Sequence, residues 1–455
     1  MTWATAAALV ALALIGALSG ALRSDAATAT GAIGGVPASG DWTQYRYDLA
    51  GTGANPYAGI STANIGRLAL RWQFGPLGEF ASTPAIVGNV VYAVNNKSLY
   101  AFDLTTGKAL WHFDNLPNAY GAVLSSSVAV DPAAHMAYYG TPDARVYAVD
   151  TRDGHGVWNV QLGDPAHGAF IWSSPLLANG KLYIGLASHE DNPCIRGAAF
   201  ALDPATGATI WRRDMVPAGE LGGGVWSSLT AIPTAGQVIV TTANPCEGTK
   251  VPALEDAIVA LDWNTGTPIW QYQALHNDSC DCDFGQGAVS YLLDGRQYVV
   301  AGNKYGVVYG VAPPASAGSA PRLVWSTRIS GAGYLGTAGV YQPPTYSDGR
   351  VFVAGGPTLD GACRAALWAL DARSGSPLWR VCTSGQVVAA SAISHDVLFV
   401  AETGVLKGYD VATGRVVWSA PLGGPQWGGV AIVGNAVVVG SVQGMLRVYA
   451  LPASA

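Results

Sequence analysis

The chain has 455 residues, of which 50% are hydrophobic, so it is long and apolar enough to bury a large core. Only 12% of the residues are charged and the formal net charge is −6, with no basic stripe, so a nucleic-acid partner is not expected. The 58 glycines favour many tight turns over long surface helices.

The first 39 residues resemble a targeting segment. An apolar run, TAAALVALALIGALSGAL, ends at Leu22, and small polar residues follow as far as Ser39. We interpret residues 1–39 as a signal peptide and linker, which predicts export to the periplasm, the medium or the cell surface. No Lys or Arg precedes the run, so an N-terminal anchor is the alternative, and no other segment has a membrane-spanning apolar length. Residues 40–455 are predicted to form a single domain.

A repeated turn dominates that domain. In LYAFDLTTGKALW, an Asp is followed four residues later by Gly and four residues after that by Trp. The Asp can bond backbone in the turn and the Gly can adopt left-handed geometry, so each copy predicts a β-hairpin. The bulky Trp is suited to filling space between neighbouring sheets. The eight Trp-bearing strands, two of them degenerate copies, carry Trp72, Trp111, Trp158, Trp211, Trp270, Trp325, Trp379 and Trp418.

A second type of segment, such as WSSPLLANGKLYIG, precedes each hairpin and also occurs eight times. Eight modules of about four strands, without helices between them, predict an all-β, eight-bladed β-propeller. The Trp72 strand has no module before it, and the last module, Trp427 to Leu451, has no Trp strand after it. Pairing these two would close the ring without open sheet edges.

Six cysteines in an exported chain are compatible with disulfides. Cys363 and Cys382 flank two strand-like runs joined by the turn DARSG, so a hairpin would place them opposite each other, within bridging distance. We predict that disulfide. The pairing of Cys194, Cys246, Cys280 and Cys282 stays open. One expectation is that Cys280 and Cys282 pin their loop by bonding to Cys194 or Cys246.

The AxDxxTGxxxW repeats resemble the tryptophan-docking repeats of pyrroloquinoline quinone (PQQ) dehydrogenases, a family of eight-bladed propellers. The likeness spans nearly the whole predicted domain, including the opening stretch from Asp41 to Phe74. Three departures from the repeat, IGLASHEDNPCIRG, GGGVWSSLTAIPTAGQVIVTTAN and HNDSCDCDFG, resemble cofactor-site motifs of PQQ alcohol dehydrogenases, most closely the polyvinyl-alcohol-dehydrogenase-like branch. The resemblance implies an exported quinoprotein that oxidises a small or polymeric alcohol, with PQQ and Ca²⁺ or a lanthanide ion as cofactors.

Matched residue by residue, the resemblance implies four metal ligands. Glu190 matches the carboxylate ligand, Asn244 the amide ligand, and Asp283 an additional ligand found in the lanthanide-using members. Asp281 matches the proposed catalytic base and would also face the ion. Hard cations require oxygen ligands of these kinds, and a carboxylate near the substrate hydroxyl can take its proton while hydride moves to the quinone.

Two further residues match contacts to the quinone itself. Trp226 matches the indole on which the flat ring stacks, and Lys304 matches the basic residue at the quinone oxygens; Glu190 and Asn244 would also contact the cofactor. Ordinary roles compete with these assignments, because a loop acid, a turn amide, a packing Trp like Trp172 or an exposed lysine needs no ligand.

Two departures from the family bear on function. The chain has no adjacent Cys–Cys pair to cover the quinone, and no CxxCH haem motif, so any electron acceptor would be a separate molecule. The alternative function is a non-catalytic propeller scaffold that binds protein or glycan at the cell surface. The two hypotheses differ geometrically, because the enzyme needs Glu190, Asn244 and Asp281 to face one cavity.

Overall fold

The computed structural model describes residues 40–114, 126–189, 193–246, 254–276, 281–316, 318–333 and 337–452. The predicted signal peptide and linker, residues 1–39, lie outside the described residues, as do Glu190 and Cys280. Within the described ranges, no helix is long and apolar enough to span a membrane. The only helical pieces there are three 3₁₀ turns, Ile65–Arg67, Pro165–His167 and Pro233–Ala235.

The first strand, β1 (Ala69–Phe74), belongs to the last of eight sheets, which we number as blades 1 to 8 in chain order. Blade 1 contains β2 (Ala85–Val87), β3 (Val90–Val94), β4 (Ser98–Asp103) and β5 (Ala109–Asp114). Blade 2 contains β6 (Ala129–Asp131), β7 (Met136–Gly140), β8 (Arg145–Asp150) and β9 (Gly156–Gln161). Blade 3 contains β10 (Ala169–Phe170), β11 (Leu176–Ala178), β12 (Lys181–Ser188), β13 (Ala198–Leu202) and β14 (Thr209–Asp214). Blade 4 contains β15 (Thr230–Ile232), β16 (Gln237–Thr241), β17 (Ala257–Asp262) and β18 (Pro268–Gln273).

The second half repeats the arrangement. Blade 5 contains β19 (Val289–Leu293), β20 (Arg296–Gly302), β21 (Val307–Ala312) and β22 (Arg322–Arg328). Blade 6 contains β23 (Thr345–Ser347), β24 (Arg350–Gly355), β25 (Ala366–Asp371) and β26 (Pro377–Cys382). Blade 7 contains β27 (Ala392–Ser394), β28 (Val397–Glu402), β29 (Val405–Asp410) and β30 (Val416–Pro421). Blade 8 contains β31 (Val430–Val433), β32 (Ala436–Gly440) and β33 (Leu446–Ala450), with β1 as its fourth strand.

The predicted eight-bladed propeller and its closure are confirmed. Strand β1 pairs antiparallel with β33, with Ala69 opposite Ala450 and Phe74 opposite Leu446, so the two ends of the domain share one sheet. The first strands of neighbouring blades contact one another around the ring and form its inner wall. The outermost strands alternate between exposed and half-buried residues, whereas the middle strands of each blade are mostly buried.

Tryptophans dock blades onto the turn of the next blade, as predicted, except in blade 4, where Trp270 donates to Gln237 of its own blade. The indole Nε1 of Trp111 in blade 1 donates to the carbonyl oxygen of Thr151 in blade 2 at 3.0 Å. A Cβ added to Gly154 would lie 2.5 Å from the same ring, and the φ of this glycine is +81°, so only glycine fits the turn. The same two contacts recur for Trp72, Trp158, Trp211, Trp325 and Trp379.

The predicted disulfide between Cys363 and Cys382 is present, with a Cα–Cα distance of 5.2 Å at the open end of the β25–β26 hairpin. The expectation that Cys280 and Cys282 bond to Cys194 or Cys246 is wrong, because Cys194 and Cys246 bond to each other, with a Cα–Cα distance of 6.2 Å. Their loops follow β12 and β16 at the same end of adjacent blades, which makes them the nearer partners. Cys282 is also disulfide-bonded.

The segment before β1 bonds to the inner wall of every blade. Backbone or side-chain oxygens of residues 42–53 accept the N–H of the second residue of the first inner strand in each of blades 1 to 7: Ile86, Val130, Leu177, Ala231, Ser290, Tyr346 and Ile393. In blade 8, Asn55 donates to the carbonyl of Ile432 at 2.8 Å. We call residues 42–59 the crossing segment. It satisfies edge groups that a lone inner strand would leave unpaired.

Candidate functional site

A cavity of about 430 Å³ lies at the centre of the ring. Side chains from all eight blades line it, most of them from the short stretches that lead into the first strands or follow the second strands. Tyr45 of the crossing segment also lines it. The volume is within the range of small-molecule and cofactor sites.

The structure brings five of the six predicted site residues together in this cavity. Trp226 and Asn244 come from blade 4, where they precede β15 and follow β16. Asp281, Asp283 and Lys304 come from blade 5, where they precede β19 and follow β20. The sixth, Glu190, lies outside the described residues, although its neighbours Ser188 and His189 line the cavity.

Lys304 stands between two carboxylates. Its Nζ lies 2.6 Å from Oδ1 of Asp281 and 2.5 Å from Oδ1 of Asp283. The same Nζ lies 5.2 Å from the ring centre of Trp226, within cation–π range. Asp281 has a φ of +51°, a conformation that Asp and Asn tolerate better than most residues. Because one ammonium faces two carboxylates, this group of side chains can accept a further positive charge.

Burial sets the protonation of this group. It raises the pKa of Asp283 to about 6; Lys304 opposes the rise and Asp281 adds to it. Burial alone would lower the pKa of Lys304, but the two carboxylates outweigh it and hold that pKa above its usual value. The ammonium therefore stays charged at neutral pH. Asp281 is the more accessible acid, since its side chain is 25% exposed whereas that of Asp283 is 0% exposed.

Three loop segments form the wall behind Asn244. The carbonyl of Asn244 accepts the N–H of Gly223 at 3.2 Å, and Gly222 bonds to the segment that follows Cys194. The Cys194–Cys246 disulfide joins the outer two of these segments, and Cys194 itself lines the cavity. Within the described chain the side-chain amide of Asn244 has no hydrogen bond, which leaves its oxygen available to a ligand.

A belt of hydroxyl groups crosses the deeper part of the cavity. Backbone N–H groups donate from one blade to the next: Gly429 to Thr83, Thr83 to Ser127, Ser127 to Ser174 and Ser174 to Ser228, at 2.9 to 3.0 Å. Each hydroxyl oxygen thus accepts from a neighbouring blade while lining the cavity. The wall is polar at this level.

Several lining residues were not predicted from the sequence. Trp172, Tyr341 and Trp427 lead into the first inner strands of blades 3, 6 and 8, at positions comparable to Trp226 in blade 4. An alignment of the eight modules on those strands would have found them. His189 stacks on Trp172, with interplanar angle 7°. No sequence signal marks Tyr45, because the crossing segment places it.

The residues present fit both expected cofactors. Asn244 and Asp281 offer the oxygen donors that Ca²⁺ and lanthanide ions use. The aromatic faces of Trp226, Trp172 and Trp427 offer flat apolar surfaces beside a charged group, which suits a planar ring with polar substituents.

Comparison with known protein families identifies the family to which the chain belongs. Residues 42–310 match the PQQ family model described as glucose/ethanol/alcohol dehydrogenase, β-propeller domain, which is more than half of the chain. The chain belongs to this PQQ family. The family resemblance expected from the sequence is therefore confirmed. A second model, outer membrane protein assembly factor BamB, matches residues 255–454, which include the later repeats but not Trp226 or Asn244.

Relatives in the PQQ family are distant. Polyvinylalcohol dehydrogenase of a Pseudomonas species is 24% identical over 437 residues, covering 83% of this chain and 67% of that protein. The enzyme of the same name from Sphingopyxis sp. (strain 113P3) is 25% identical over 434 residues, covering 80% and 64%. The chain thus spans about two thirds of the length of these relatives. Quinoprotein alcohol dehydrogenase PedH of Pseudomonas putida is 25% identical over 461 residues, covering 86% and 76%.

Solved structures share the fold. Quinohemoprotein alcohol dehydrogenase from Comamonas testosteroni superposes with a TM-score of 0.76 at 20% identity, covering 92% of this chain and 82% of that one. A europium-containing methanol dehydrogenase gives 0.74 at 19% identity, covering 90% and 98%. At these identities the likeness establishes the eight-bladed fold alone.

Proposed function

We propose that this chain is an exported PQQ-dependent alcohol dehydrogenase, with the quinone and a Ca²⁺ or lanthanide ion held in the central cavity. The observation that carries the proposal is the convergence of Trp226, Asn244, Asp281 and Lys304 on that one cavity. A largely buried lysine between two carboxylates that line a cavity is typical of functional sites. The family assignment supports the same conclusion, since its description names dehydrogenases.

Each side chain then has a distinct task. Asn244 and Asp281 would hold the ion, with Glu190 as the third proposed ligand. Asp283, the fourth ligand expected from the sequence, already contacts Trp226 through Oδ2 and Lys304 through Oδ1, so an ion would share its carboxylate with these two residues. Trp226 would present its indole face to the quinone, and Lys304 would donate from Nζ to a quinone oxygen.

The bound quinone with its ion supplies the acceptor for the hydride that leaves the alcohol carbon. The carboxylate of Asp281 accepts the hydroxyl proton, so the alcohol loses one hydride and one proton and becomes a carbonyl compound. Lys304, already 2.6 Å from Asp281, holds that carboxylate in place before the substrate binds.

The substrate class is proposed as a small or polymeric alcohol, since the relatives named above include two polyvinylalcohol dehydrogenases. The electron acceptor is proposed as a separate molecule, because the sequence contains no CxxCH motif. Export through residues 1–39 is proposed on the apolar run, and the Cys194–Cys246 and Cys363–Cys382 disulfides are suited to an oxidising compartment.

Reconstitution tests this proposal. Purified protein is incubated with PQQ and either Ca²⁺ or La³⁺, and quinone binding is followed by quenching of Trp fluorescence. Dye-linked oxidation is then measured with ethanol and with polyvinyl alcohol. We expect turnover that requires the ion, and PQQ binding that the ion strengthens. A protein that binds neither PQQ nor the ions, yet stays folded, would instead support the scaffold function.

A further inference from the structure

Asp283 has the most constrained carboxylate in the cavity. Its Oδ2 accepts the indole N–H of Trp226 at 2.9 Å, and its Oδ1 lies 2.5 Å from Nζ of Lys304. The residue is 1% exposed, and among the described residues Oδ1 has this ion pair but no hydrogen bond of good geometry. Because Lys304 also lies over the Trp226 ring, the three side chains contact one another pairwise.

The partner of Trp226 is unusual within this fold. The docking tryptophans donate to backbone carbonyls, as Trp111 does to Thr151, apart from Trp270, which donates to the side-chain amide oxygen of Gln237. Trp172, at the comparable position of blade 3, donates to the carbonyl of Ser188 at 3.1 Å. Trp226 alone, among the indoles whose bonds the described chain shows, donates to a carboxylate. A charged acceptor makes a stronger bond than a neutral one, and the bond fixes the rotation of the ring.

Lys304 is held by Asp283 at both ends. Its backbone N–H donates to the Asp283 carbonyl at 2.8 Å, while its ammonium reaches the Asp283 carboxylate. A lysine has four rotatable side-chain bonds and loses considerable entropy when ordered, so fixed contacts at both ends pre-arrange it. Asp281, by contrast, contacts the ammonium of Lys304 but not its backbone N–H.

We propose that Asp283 is a positioning residue, whose carboxylate fixes the Trp226 indole and the Lys304 ammonium in one geometry in the absence of any metal ion. The consequence for cofactor binding rests on the proposed function, since these two residues are the ones proposed to contact the quinone. The positioning itself does not depend on that function. The competing role for Asp283 is direct ligation of the ion, as the family resemblance implied.

The two roles predict different losses. Asp283→Ala removes both bonds, whereas Asp283→Asn keeps an oxygen for the indole but turns an amide N–H₂ towards Lys304. Asp281→Asn is the matched control, because it also removes a carboxylate from Lys304 but leaves Trp226 untouched. If Asp283 is a positioning residue, Asp283→Ala should disturb the Trp226 indole more than Asp283→Asn does. Asp281→Asn should not disturb it.

The direct measurement is the indole ¹⁵N–¹H resonance of Trp226 in protein free of metal and quinone, assigned with Trp226→Phe. We expect Asp283→Ala to shift it strongly, Asp283→Asn to shift it slightly and Asp281→Asn to leave it in place. The second measurement is PQQ affinity in EDTA. Loss of a bond to a charged group is worth about 1.5–3 kcal/mol, so Asp283→Ala should weaken PQQ binding by about 10- to 100-fold.

Two results would overturn the proposal. One is an unshifted Trp226 resonance in Asp283→Ala. The other is a variant that loses La³⁺ affinity while its PQQ affinity in EDTA stays at the wild-type value, which would make Asp283 a metal ligand. If the wild-type protein binds no PQQ at all, the proposed function fails, but the resonance still decides the positioning role.

Discussion

At the residue scale, Asp281 is the side chain on which the proposed chemistry depends. It enters the cavity from a left-handed backbone conformation, with φ of +51°, and keeps a quarter of its side chain accessible. Asparagine tolerates that conformation, so Asp281→Asn changes charge and basicity without backbone strain. A general base typically accelerates a reaction by about 10²- to 10⁴-fold. We expect kcat for dye-linked alcohol oxidation to decrease by a factor in that range, while the melting temperature changes little.

Asp294→Asn provides the control for this variant. Asp294 lies in the same blade, has the same φ of +51° and pairs with Arg373 on the exposed surface, away from the cavity. Its replacement should leave kcat at the wild-type value. Equal activity of Asp281→Asn and the wild type would remove Asp281 from the mechanism.

Two fully buried glutamates, Glu255 and Glu402, differ in their hydrogen-bond partners, so their charges are expected to affect folding stability differently. Glu255 lies under Gly222 and Gly223, and neither of its carboxylate oxygens has a hydrogen bond of good geometry within the described residues. Burial raises its pKa to about 8; Glu220 adds to this, and the N–H of Gly223 partly opposes it. Glu402, by contrast, bonds to Ser384, Lys407 and Tyr409.

The raised pKa of Glu255 predicts a pH-dependent stability. Between its unfolded pKa near 4.5 and its folded pKa near 8, the native state holds a proton that the unfolded state has lost, so stability falls as pH rises. Glu255→Gln should lack this fall and be more stable than the wild type at pH 9, by roughly 2 kcal/mol, with little difference at pH 4. Urea midpoints at the two pH values measure it.

Glu402→Gln is the matched comparison. Breaking a buried ion pair leaves Lys407 without its partner and typically costs about 3–5 kcal/mol, so this variant should lose stability at pH 7. If both glutamine variants shift the urea midpoint in the same direction at pH 9, the distinction drawn between the two carboxylates is wrong.

At the element scale, the repeat predicted most of the fold because every copy contains its own physical reasons. The Asp caps its turn, the Gly leaves space for a ring, and the Trp of the preceding blade fills that space, as for Gly154 and Trp111. Counting copies therefore predicted eight blades and their closure. The crossing segment has no such periodicity, so its path and the position of Tyr45 could not be read from residue spacing.

The candidate site was predicted less completely than the fold. Convergence of Trp226, Asn244, Asp281 and Lys304 followed from family resemblance, whereas the bond between Trp226 and Asp283 depends on side-chain directions across two blades. The disulfide pairing was missed for a similar reason. Cys194 and Cys246 are 52 residues apart, and only the stacking of blades 3 and 4 brings their loops together.

The Cys194–Cys246 disulfide is predicted to stabilise the part of the cavity wall that is proposed to bind the metal ion. It joins the loop that lines the cavity at Cys194 to the loop that carries Asn244. In Cys194→Ser/Cys246→Ser, we expect Tb³⁺ affinity, read by luminescence sensitised through nearby indoles, to weaken by about 10-fold, equivalent to about 1.4 kcal/mol.

Cys363→Ser/Cys382→Ser serves as the control, because that disulfide closes a hairpin of blade 6 and lies outside the cavity. Its loss should lower stability by about 3 kcal/mol, as expected for a short closed loop, and leave Tb³⁺ affinity unchanged. If both double variants bind Tb³⁺ with the wild-type affinity, neither disulfide supports the site.

At the scale of the whole molecule, two devices connect the blades. Tryptophan docking joins neighbouring blades, except at the boundary of blades 4 and 5, so it acts locally around the ring. The crossing segment bonds to all eight inner strands in order, and its Tyr45 reaches the cavity. A disturbance of this segment is therefore expected to affect the entire domain and the cavity together.

Asn55 is where that expectation can be tested. Its side-chain amide donates to the carbonyls of Gly40 and Ile432, and its backbone N–H donates to Ile393, so it links blades 7 and 8 from a position that is 1% exposed. Asn55→Ala would leave buried carbonyls unpaired at about 1–3 kcal/mol each, and we expect a loss of roughly 3 kcal/mol in urea unfolding. Asn89→Ala, which removes exposed turn bonds in blade 1, should cost under about 1 kcal/mol. Because the segment contacts every blade, the unfolding of Asn55→Ala should remain a single transition at a lower midpoint. The expectation would be wrong if blades 7 and 8 unfolded separately, or if Asn55→Ala lost no more unfolding free energy than Asn89→Ala. Either result would show that the tryptophans alone hold the blades together.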